Sequence, residues 1–364
     1  MQNLTRANRE LFHRGPDECF PTMNALWNHA YERKQRSRDL WHPPQALRLH
    51  AAEERLSLAF DDDGPYALND WSFAQLCRLA GVSRDTINRL KPETAVLALS
   101  ETLPSSEKPI QLLTEGNRVR SVHGVAYTRL WDVELLAMLK EFATDFQPPQ
   151  QAGGTAPSDG AANEDIPFEP DPDPAPTSGT GLYCGEQDMF VFLIDPLGWA
   201  EINGEAFAPG FFLWNSEVGR RAVGVQTFWF QAVCQNHIVW DAVEVVEFTR
   251  KHTANVHESL GEIRRIIANL VEKRDQRRDG FASLIRKAMT ATLGHDADAV
   301  LDMLQQRGIA RTLAKQALEQ ARRKGAFTIF AVVDALTQLS RGLPHAGERV
   351  ELDQKAGRLL ALAS

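Results

Sequence analysis

Two apolar runs in the middle of the chain decide the fold class. Residues 210–219 read Gly-Phe-Phe-Leu-Trp-Asn-Ser-Glu-Val-Gly, and residues 223–239 read Val-Gly-Val-Gln-Thr-Phe-Trp-Phe-Gln-Ala-Val-Cys-Gln-Asn-His-Ile-Val. β-branched and aromatic residues favour strands, whereas the polar Asn-Ser-Glu and the glycine that close the first run favour a turn. The pattern predicts a strand, a turn at Gly219–Arg221, and a long second strand or a strand that runs into a helix.

Strand signals continue on the amino-terminal side of these runs. Asp188–Asp195 has the apolar pattern of a strand, and Asn203-Gly204 is a strong hairpin signal. After residue 254, apolar residues recur at helical spacing. Residues 182–253 are therefore predicted to form an antiparallel β-rich core, and residues 254–364 a helical region.

The amino-terminal half is predicted to be mixed. Residues 1–50 indicate an irregular arm with a short helix near Met23–Lys34. Residues 51–147 indicate mainly helices as far as residue 100, the first capped at Asp70 or Ser72, and then two strands and a helix capped by Asp132. The predicted fold class is α+β, with a helical N-terminal region, an antiparallel sheet domain interrupted by an insertion, and a helical C-terminal region.

The predicted insertion is an acidic, proline-rich tract. Residues 148–181 contain six acidic residues and no basic residue among many prolines. Such a composition cannot bury enough apolar surface to order itself, so the tract is predicted to be disordered. It is either a linker between domains or an insertion within one sheet domain, because strands are predicted on both sides.

Composition limits the classes of function. The 364 residues include four widely spaced cysteines, no long apolar run and no signal-peptide pattern, so a reduced, cytoplasmic protein without a membrane partner is expected. The net charge is −8, but six acidic residues lie in the tract, and residues 261–290 carry eight bases against four acids. That distribution is compatible with binding to nucleic acid.

The chain has no enzyme motif. It lacks a glycine-rich phosphate loop, no base is predicted beside Cys184, and the acidic residues of the β-rich core lack the spacing of a nuclease. Cys234, His237, His252 and His257 have a spacing compatible with zinc, but Cys234 lies in an apolar stretch that suits a buried thiol. No catalytic residue, metal or cofactor is therefore predicted.

The segment 73–90 is similar to a helix-turn-helix. Gly81 ends one predicted helix and Ser83 begins the next, whose exposed residues would include Arg84, Asn88 and Arg89. The same pattern also builds plain helical corners. A DNA-reading helix and a structural corner therefore both remain open.

A further resemblance involves the turn between the two apolar runs. Asn215, Ser216, Glu217 and Gly219, followed by Cys234 and Asn236, resemble a family of uncharacterised proteins of phages, plasmids and integrated elements. The resemblance implies a domain without a settled activity. It extends to a helical corner before a strand pair, to basic strand residues at Arg118 and Arg120, and to Tyr127. Because it covers both sides of the acidic tract, it favours an insertion.

Together these observations favour a nucleic-acid-binding protein of a mobile element, with single-stranded DNA as the expected partner and homo-oligomers possible. Hairpin, third strand and helix is also the order in single-strand annealing proteins of the Redβ kind, an analogy that suggests annealing without ATP. The alternatives are an interaction protein that acts on host factors and a regulator that binds duplex DNA through the helix-turn-helix. The residues predicted to contact nucleic acid are Arg84, Asn88, Arg89, Arg118, Arg120, Tyr127, Trp214, Asn215, Arg220, Arg221, Trp229, Arg264 and Arg265, the last two on a basic helix over Arg264–Lys287.

Overall fold

The computed structural model describes residues 18–52, 55–60, 63–148, 181–231, 237–240, 246–323, 327–341, 352 and 355–363. Within these ranges the fold is α+β, as predicted, with helices toward both ends of the chain and two sheets between them. In these same ranges, every helix is too short or too polar to cross a bilayer.

The first sheet belongs to the amino-terminal half. Helix α1 (Met23–Arg36) leads into it, and α2 (Asp70–Leu79), α3 (Arg84–Ile87) and α4 (Pro92–Thr102) lie between its fourth and fifth strands. The strands are β1 (Ser37–His42), β2 (Leu47–Ala52), β3 (Arg55–Phe60), β4 (Asp63–Leu68), β5 (Ile110–Glu115) and β6 (Arg118–Gly124), in the order β1-β5-β6-β4-β3-β2. Neighbours are antiparallel except β4 and β6. Helices α2 and α4 cover one face, over a core that includes Leu58, Leu76 and Leu112.

The second sheet follows helix α5 (Asp132–Phe142) and contains the two apolar runs. Its strands are β7 (Leu182–Cys184), β8 (Met189–Ile194), β9 (Ala200–Ile202), β10 (Glu205–Asn215), β11 (Val223–Gln231), β12 (His237–Trp240) and β13 (Glu247–Arg250). The main order is β12-β11-β10-β8-β7, and β9 and β13 pair with β10 and β11. The predicted hairpin turn occurs at Asn203 and Gly204, both with positive φ. All pairs in this sheet are antiparallel, as expected.

Two groups of helices pack against the same face of the second sheet, the face with Phe207, Leu213 and Trp229. At one end, α1, α5 and α6 (Glu258–Glu272) pack over Val191, Leu213 and Val225. At the far end of the sheet, α7 (Arg274–Thr290), α8 (Ala297–Gln306), α9 (Arg311–Arg323) and α10 (Ile329–Arg341) form a separate core. The Trp229 ring joins that core by stacking on Phe281 at 4.0 Å.

The predicted disordered tract lies outside the described residues, apart from its end residues 148 and 181. The residues that flank it lie beside the same strand. Gln147 forms a bridge to Ile194, and Phe192 donates a backbone hydrogen bond to Gly181 at 2.7 Å. The tract therefore leaves and rejoins the fold next to β8, which agrees with an insertion.

The structure differs from the sequence prediction in the first 100 residues. Residues 37–68 form four strands, where an irregular arm followed by helices is predicted. Alternate residues such as Leu47 and Leu49, or Leu58 and Phe60, face the core, which is the period of a strand. The strands have only six residues each, so charged turns interrupt that period too often for it to stand out.

Candidate functional site

The turn at 215–219 is buried between the two sheets and is held by residues of the first sheet and its helices. The Tyr127 hydroxyl donates to the Glu217 carbonyl at 2.8 Å. Trp71 Nε1 and His123 Nε2 both donate to the Val218 carbonyl, at 2.8 and 3.0 Å. These bonds satisfy the buried backbone of the turn and fix the second sheet against the first.

The Glu217 carboxylate is the centre of a buried polar network. Its side chain is 1% exposed and accepts from Arg120 Nη1 at 2.9 Å and from the backbone N–H of Asp132 at 3.1 Å. Burial raises its pKa, but the attraction of Arg120 and of Arg33 and the hydrogen bonds from Asp132 and Arg120 together outweigh burial, so the pKa of Glu217 is lowered overall. Glu217 is therefore an anion that organises the arginines around it.

Asp132 faces inward beside this carboxylate, which corrects the prediction that it caps α5. The N-cap is Trp131, without a side-chain cap, and Asp132 Oδ1 instead accepts from Asn215 Nδ2 at 2.8 Å. Burial, followed by repulsion from Glu217, raises the pKa of Asp132 to about 8. At neutral pH one of these two carboxyl groups holds a proton, because two adjacent anions cannot both be stable in a buried site.

A second arginine lies on the other side of the turn. Arg129 donates to the Glu217 carbonyl through Nη1, and its Nη2 lies 2.7 Å from Asp39 Oδ1 on β1. Its guanidinium also lies 5.3 Å from the centre of the Tyr127 ring. Arg129 therefore ties the turn to the edge strand of the first sheet.

Three rings stack next to the turn. Tyr127 lies 3.7 Å from His123 and 5.4 Å from His252, centre to centre. Burial lowers the pKa of His123 to about 3 and that of His252 to about 4, so both rings are neutral at physiological pH. Gly219 adopts φ +69°, and a Cβ there would lie 2.6 Å from His123 Cε1. Only glycine fits this position, which explains its place in the run.

A surface cleft opens beside the network, between α1, the β5–β6 hairpin and the start of α2. We call it the arginine cleft; its volume is about 360 Å³, and it is lined by Arg33, Arg36, Asn69, Glu115, Gly116, Asn117, Arg118, Arg120 and Glu186. Arg36 and Arg118 are exposed at its rim, whereas Arg33 and Arg120 form its buried floor. Arg33 and Arg36 were not among the predicted contacts, since they lie on a helix in the segment interpreted as an arm.

Arg220 and Arg221 occupy different environments. The Arg220 side chain is exposed, and its guanidinium lies 5.4 Å from the Trp71 ring. Arg221 is buried and forms an ion pair with Asp188 at 2.9 Å. Of the two residues predicted to reach solvent together from this turn, only Arg220 does so.

Several other predicted contacts are not placed for binding. Trp214 and Trp229 are buried in the second sheet, which corrects the expectation that they stack on bases. Trp214 lies over Gly224 on β11, where an added Cβ would be 2.2 Å from its ring. Asn215 and Tyr127 are committed to the buried network, and Arg120 to Glu217.

The remaining candidates do not line the cleft. Arg84, Asn88 and Arg89 are exposed, but α3 is a single turn of four residues, shorter than a helix that reads a groove. The helix before it is capped by Asn69, with Ser72 completing a capping box, rather than by Asp70 or Ser72. The predicted basic helix is broken at Lys273 into α6 and α7. On α6, Arg264 lies 3.7 Å above the Phe142 ring, and Arg265 pairs with Glu262.

The zinc set is only partly described. Cys234 and the side chain of His237 lie outside the described residues. The His252 ring is buried in the aromatic stack, and His257 is half exposed, 3.7 Å from Glu134. Across the part of the chain that the structure describes, no three potential metal ligands cluster.

Comparison with known proteins gives a family of uncharacterised domains. The model of the Domain of unknown function (DUF932) matches residues 197–338, which include the turn at 215–219, strands β9–β13 and helices α6–α9. The match covers fewer than half of the 364 residues, and it leaves out the first sheet. Searches of curated proteins and of solved structures gave no match.

Proposed function

We propose that the protein binds single-stranded nucleic acid, DNA in the first place, through the exposed arginines around the arginine cleft. The observation that carries this proposal is the pair Arg36 and Arg118 at the rim of the cleft, at one end of the first sheet. Arg36 directly precedes β1, and Ser37 and Arg118 both pair with Glu115 of β5. Arg36 and Arg118 therefore stand on either side of one strand, about 10 Å apart at two inter-strand spacings.

The ion pairs that these arginines make are replaceable. Arg36 lies 3.2 Å from Glu115 and Arg118 lies 3.5 Å from Glu186, and both arginines are more than half exposed. Exposed pairs of this kind contribute about 0–1 kcal/mol, so a strand of phosphates can compete with the carboxylates. The buried Arg120–Glu217 pair does not exchange in this way, and it fixes the floor below.

Arg220 and Trp71 add a planar surface, with Trp71 two residues along the chain from Asn69 of the cleft. The Arg220 guanidinium lies 5.4 Å from the half-buried Trp71 ring. Guanidinium and aromatic planes stack on nucleic-acid bases with little dependence on sequence. We therefore propose that bases stack on Arg220 and Trp71 rather than on the buried Trp214 and Trp229.

The test is the salt dependence of binding, measured by fluorescence anisotropy with labelled single-stranded DNA, duplex DNA and RNA. Changing Arg36, Arg118 and Arg220 to Gln together should lower the slope of log affinity against log salt by about 2, at about 0.7 per lost phosphate contact. The control carries the same charge change on exposed positions of α9, Arg311, Arg322 and Arg323, and should keep the slope.

The outcome also decides between the alternatives. Equal slopes for the two triple variants would refute binding at the cleft. Stronger binding to duplex DNA, lost on changing Arg84 and Arg89, would favour the helix-turn-helix regulator instead. Pairing of complementary strands without ATP, measured with the wild-type chain, tests annealing as the activity that this binding serves.

The setting of this activity follows from the sequence resemblance. We propose a protein of a phage, plasmid or integrated element that acts in the cytoplasm, where single-stranded intermediates of such elements occur. Recovery of element DNA with the tagged protein after crosslinking in cells is the expected result, and recovery of host proteins without nucleic acid would support the interaction-protein alternative.

A further inference from the structure

Arg33 is a nearly buried cation at the floor of the arginine cleft. It projects from α1, and 8% of its surface is exposed. Its Nη1 donates to the Gly185 carbonyl at 2.8 Å and to the Cys184 sulfur at 3.3 Å. Both contacts use the same nitrogen, so they hold the guanidinium in place at one end.

The rest of this guanidinium has no partner among the described residues. A guanidinium has five N–H donors, and those on Nη2 and Nε of Arg33 form no hydrogen bond within those residues. No described carboxylate lies within 4.0 Å of Arg33. The Cys184 thiol supplies no counter-charge, because burial raises its pKa to about 12. The Glu217 anion attracts this guanidinium without contacting it, and the open side of the guanidinium lines the cleft.

The surroundings fit an anionic group. Four arginines and two glutamates line the cleft, and Glu217 neutralises Arg120 at its floor, which leaves one positive charge in excess. The amides of Asn69 and Asn117 add neutral donors. A volume of about 360 Å³ lies at the lower end of the range of small-ligand sites, roughly 300–1,000 Å³. The cleft therefore has room for one phosphorylated group rather than for a length of strand.

We propose that the arginine cleft binds a phosphate monoester, and that Arg33 is the residue that holds it. A phosphate monoester offers three terminal oxygens, whereas an internal phosphodiester offers two, so a terminal phosphate can accept from Arg33 and from a rim arginine together. The planar fork of Arg33 can donate two parallel bonds to two phosphate oxygens. That this phosphate belongs to the end of a single strand rests on the proposed function. That the cleft binds a phosphate monoester does not depend on the proposed function.

The first experiment compares single strands of one sequence that differ only at their ends. Wild-type protein is titrated with strands bearing a 5′-phosphate, a 3′-phosphate or two hydroxyl ends. One phosphorylated form should bind roughly tenfold more tightly than the hydroxyl form, as a new bidentate charge-assisted contact would give. Equal affinity for all three strands would overturn the terminal-phosphate assignment.

The second experiment uses two matched variants. Arg33→Gln should abolish the preference for the phosphorylated end, so that all three strands bind with equal affinity. The control is Arg38→Gln, an exposed arginine on β1 that bonds to Tyr66 and does not line the cleft; it should retain the preference. A preference that survives in folded Arg33→Gln would remove Arg33 from the site. If Arg33→Gln does not fold, Arg33→Lys takes its place in the experiment. Lysine keeps the positive charge but lacks the planar guanidinium, so this variant should show a reduced preference for the phosphorylated end.

A third measurement separates this inference from the proposed function. Calorimetric titration of the wild-type protein with a nucleoside 5′-monophosphate, and with the unphosphorylated nucleoside, needs no strand. If strands do not bind but the monophosphate does, the proposed function fails and the site stands as one for a small phosphorylated molecule. If neither the monophosphate nor any strand binds, both proposals fail.

Discussion

Replacing Glu217 with Gln is expected to destabilise the fold by about 3–5 kcal/mol, the usual cost of removing one partner of a buried ion pair. The pair is well buried, since 1% of the Glu217 side chain and 7% of the Arg120 side chain are exposed. Glutamine keeps the shape but offers one oxygen, whereas Arg120 and the N–H of Asp132 both donate to this carboxylate. One of the two donors would then face an amide NH₂ group.

The assay is urea unfolding followed by tryptophan fluorescence at pH 7, with the free energy taken from the midpoint and slope. Glu186→Gln is the control, because its pair with Arg118 is exposed on both sides and should contribute about 1 kcal/mol or less. Adding Arg120→Met to Glu217→Gln should recover part of the loss, since the unpaired charge is then removed as well. A loss for Glu217→Gln no larger than for Glu186→Gln would refute the role of the buried pair.

Three further predictions concern the same network. The pKa of Asp132, about 8, lies above the value of about 4 in an unfolded chain, so folding favours the protonated form of Asp132. The free energy of unfolding should therefore fall as pH rises from about 4 to 8. Asp132→Asn should flatten that part of the stability curve measured by urea unfolding. His252, with a pKa of about 4, acts in the opposite sense: the unfolded state takes up a proton first, so stability is lost as pH falls from about 6.5 to 4, and His252→Phe should reduce this acid sensitivity in thermal melts. Gly219→Ala should lower stability by more than Gly81→Ala, because both have φ near +70° but only the Cβ at 219 meets a ring; equal losses would show that the ring contact is relaxed.

Local signals explain which parts of the fold could be predicted. The β10–β11 hairpin, the turn at Asn203-Gly204 and the helix end at Gly81 each depend on residues within one or two turns of chain, and the structure contains all three. The prediction that Asp132 caps a helix is wrong for the same reason, since its local position is that of a helix cap. Its actual partner, Asn215, lies 83 residues away in the chain, and no periodicity links the two.

Burial of Trp214 could have been inferred from the hairpin itself. With the turn at 219–221, Trp214 falls opposite Gly224, and a glycine across from a tryptophan leaves room for the ring to lie on the sheet. The arginine cleft could not be inferred in this way. It combines Arg33 of α1 with Glu186 and the β5–β6 hairpin, three segments whose contact depends on the packing of the two sheets.

The Asn215-Ser216-Glu217 run therefore acts on the proposed binding site indirectly. Glu217 holds Arg120 at the floor of the cleft, and the Ser216 hydroxyl donates to the Gln187 carbonyl at 2.5 Å, next to Glu186 on the rim. None of the three side chains is exposed, so none can contact a strand directly. The Asn215-Ser216-Glu217 residues, which resemble a family motif, support the cleft from below. The exposed residues that would determine ligand binding lie largely in the first sheet, outside the matched domain. A relative that keeps the run but has a different first sheet would be expected to keep the junction and bind a different partner.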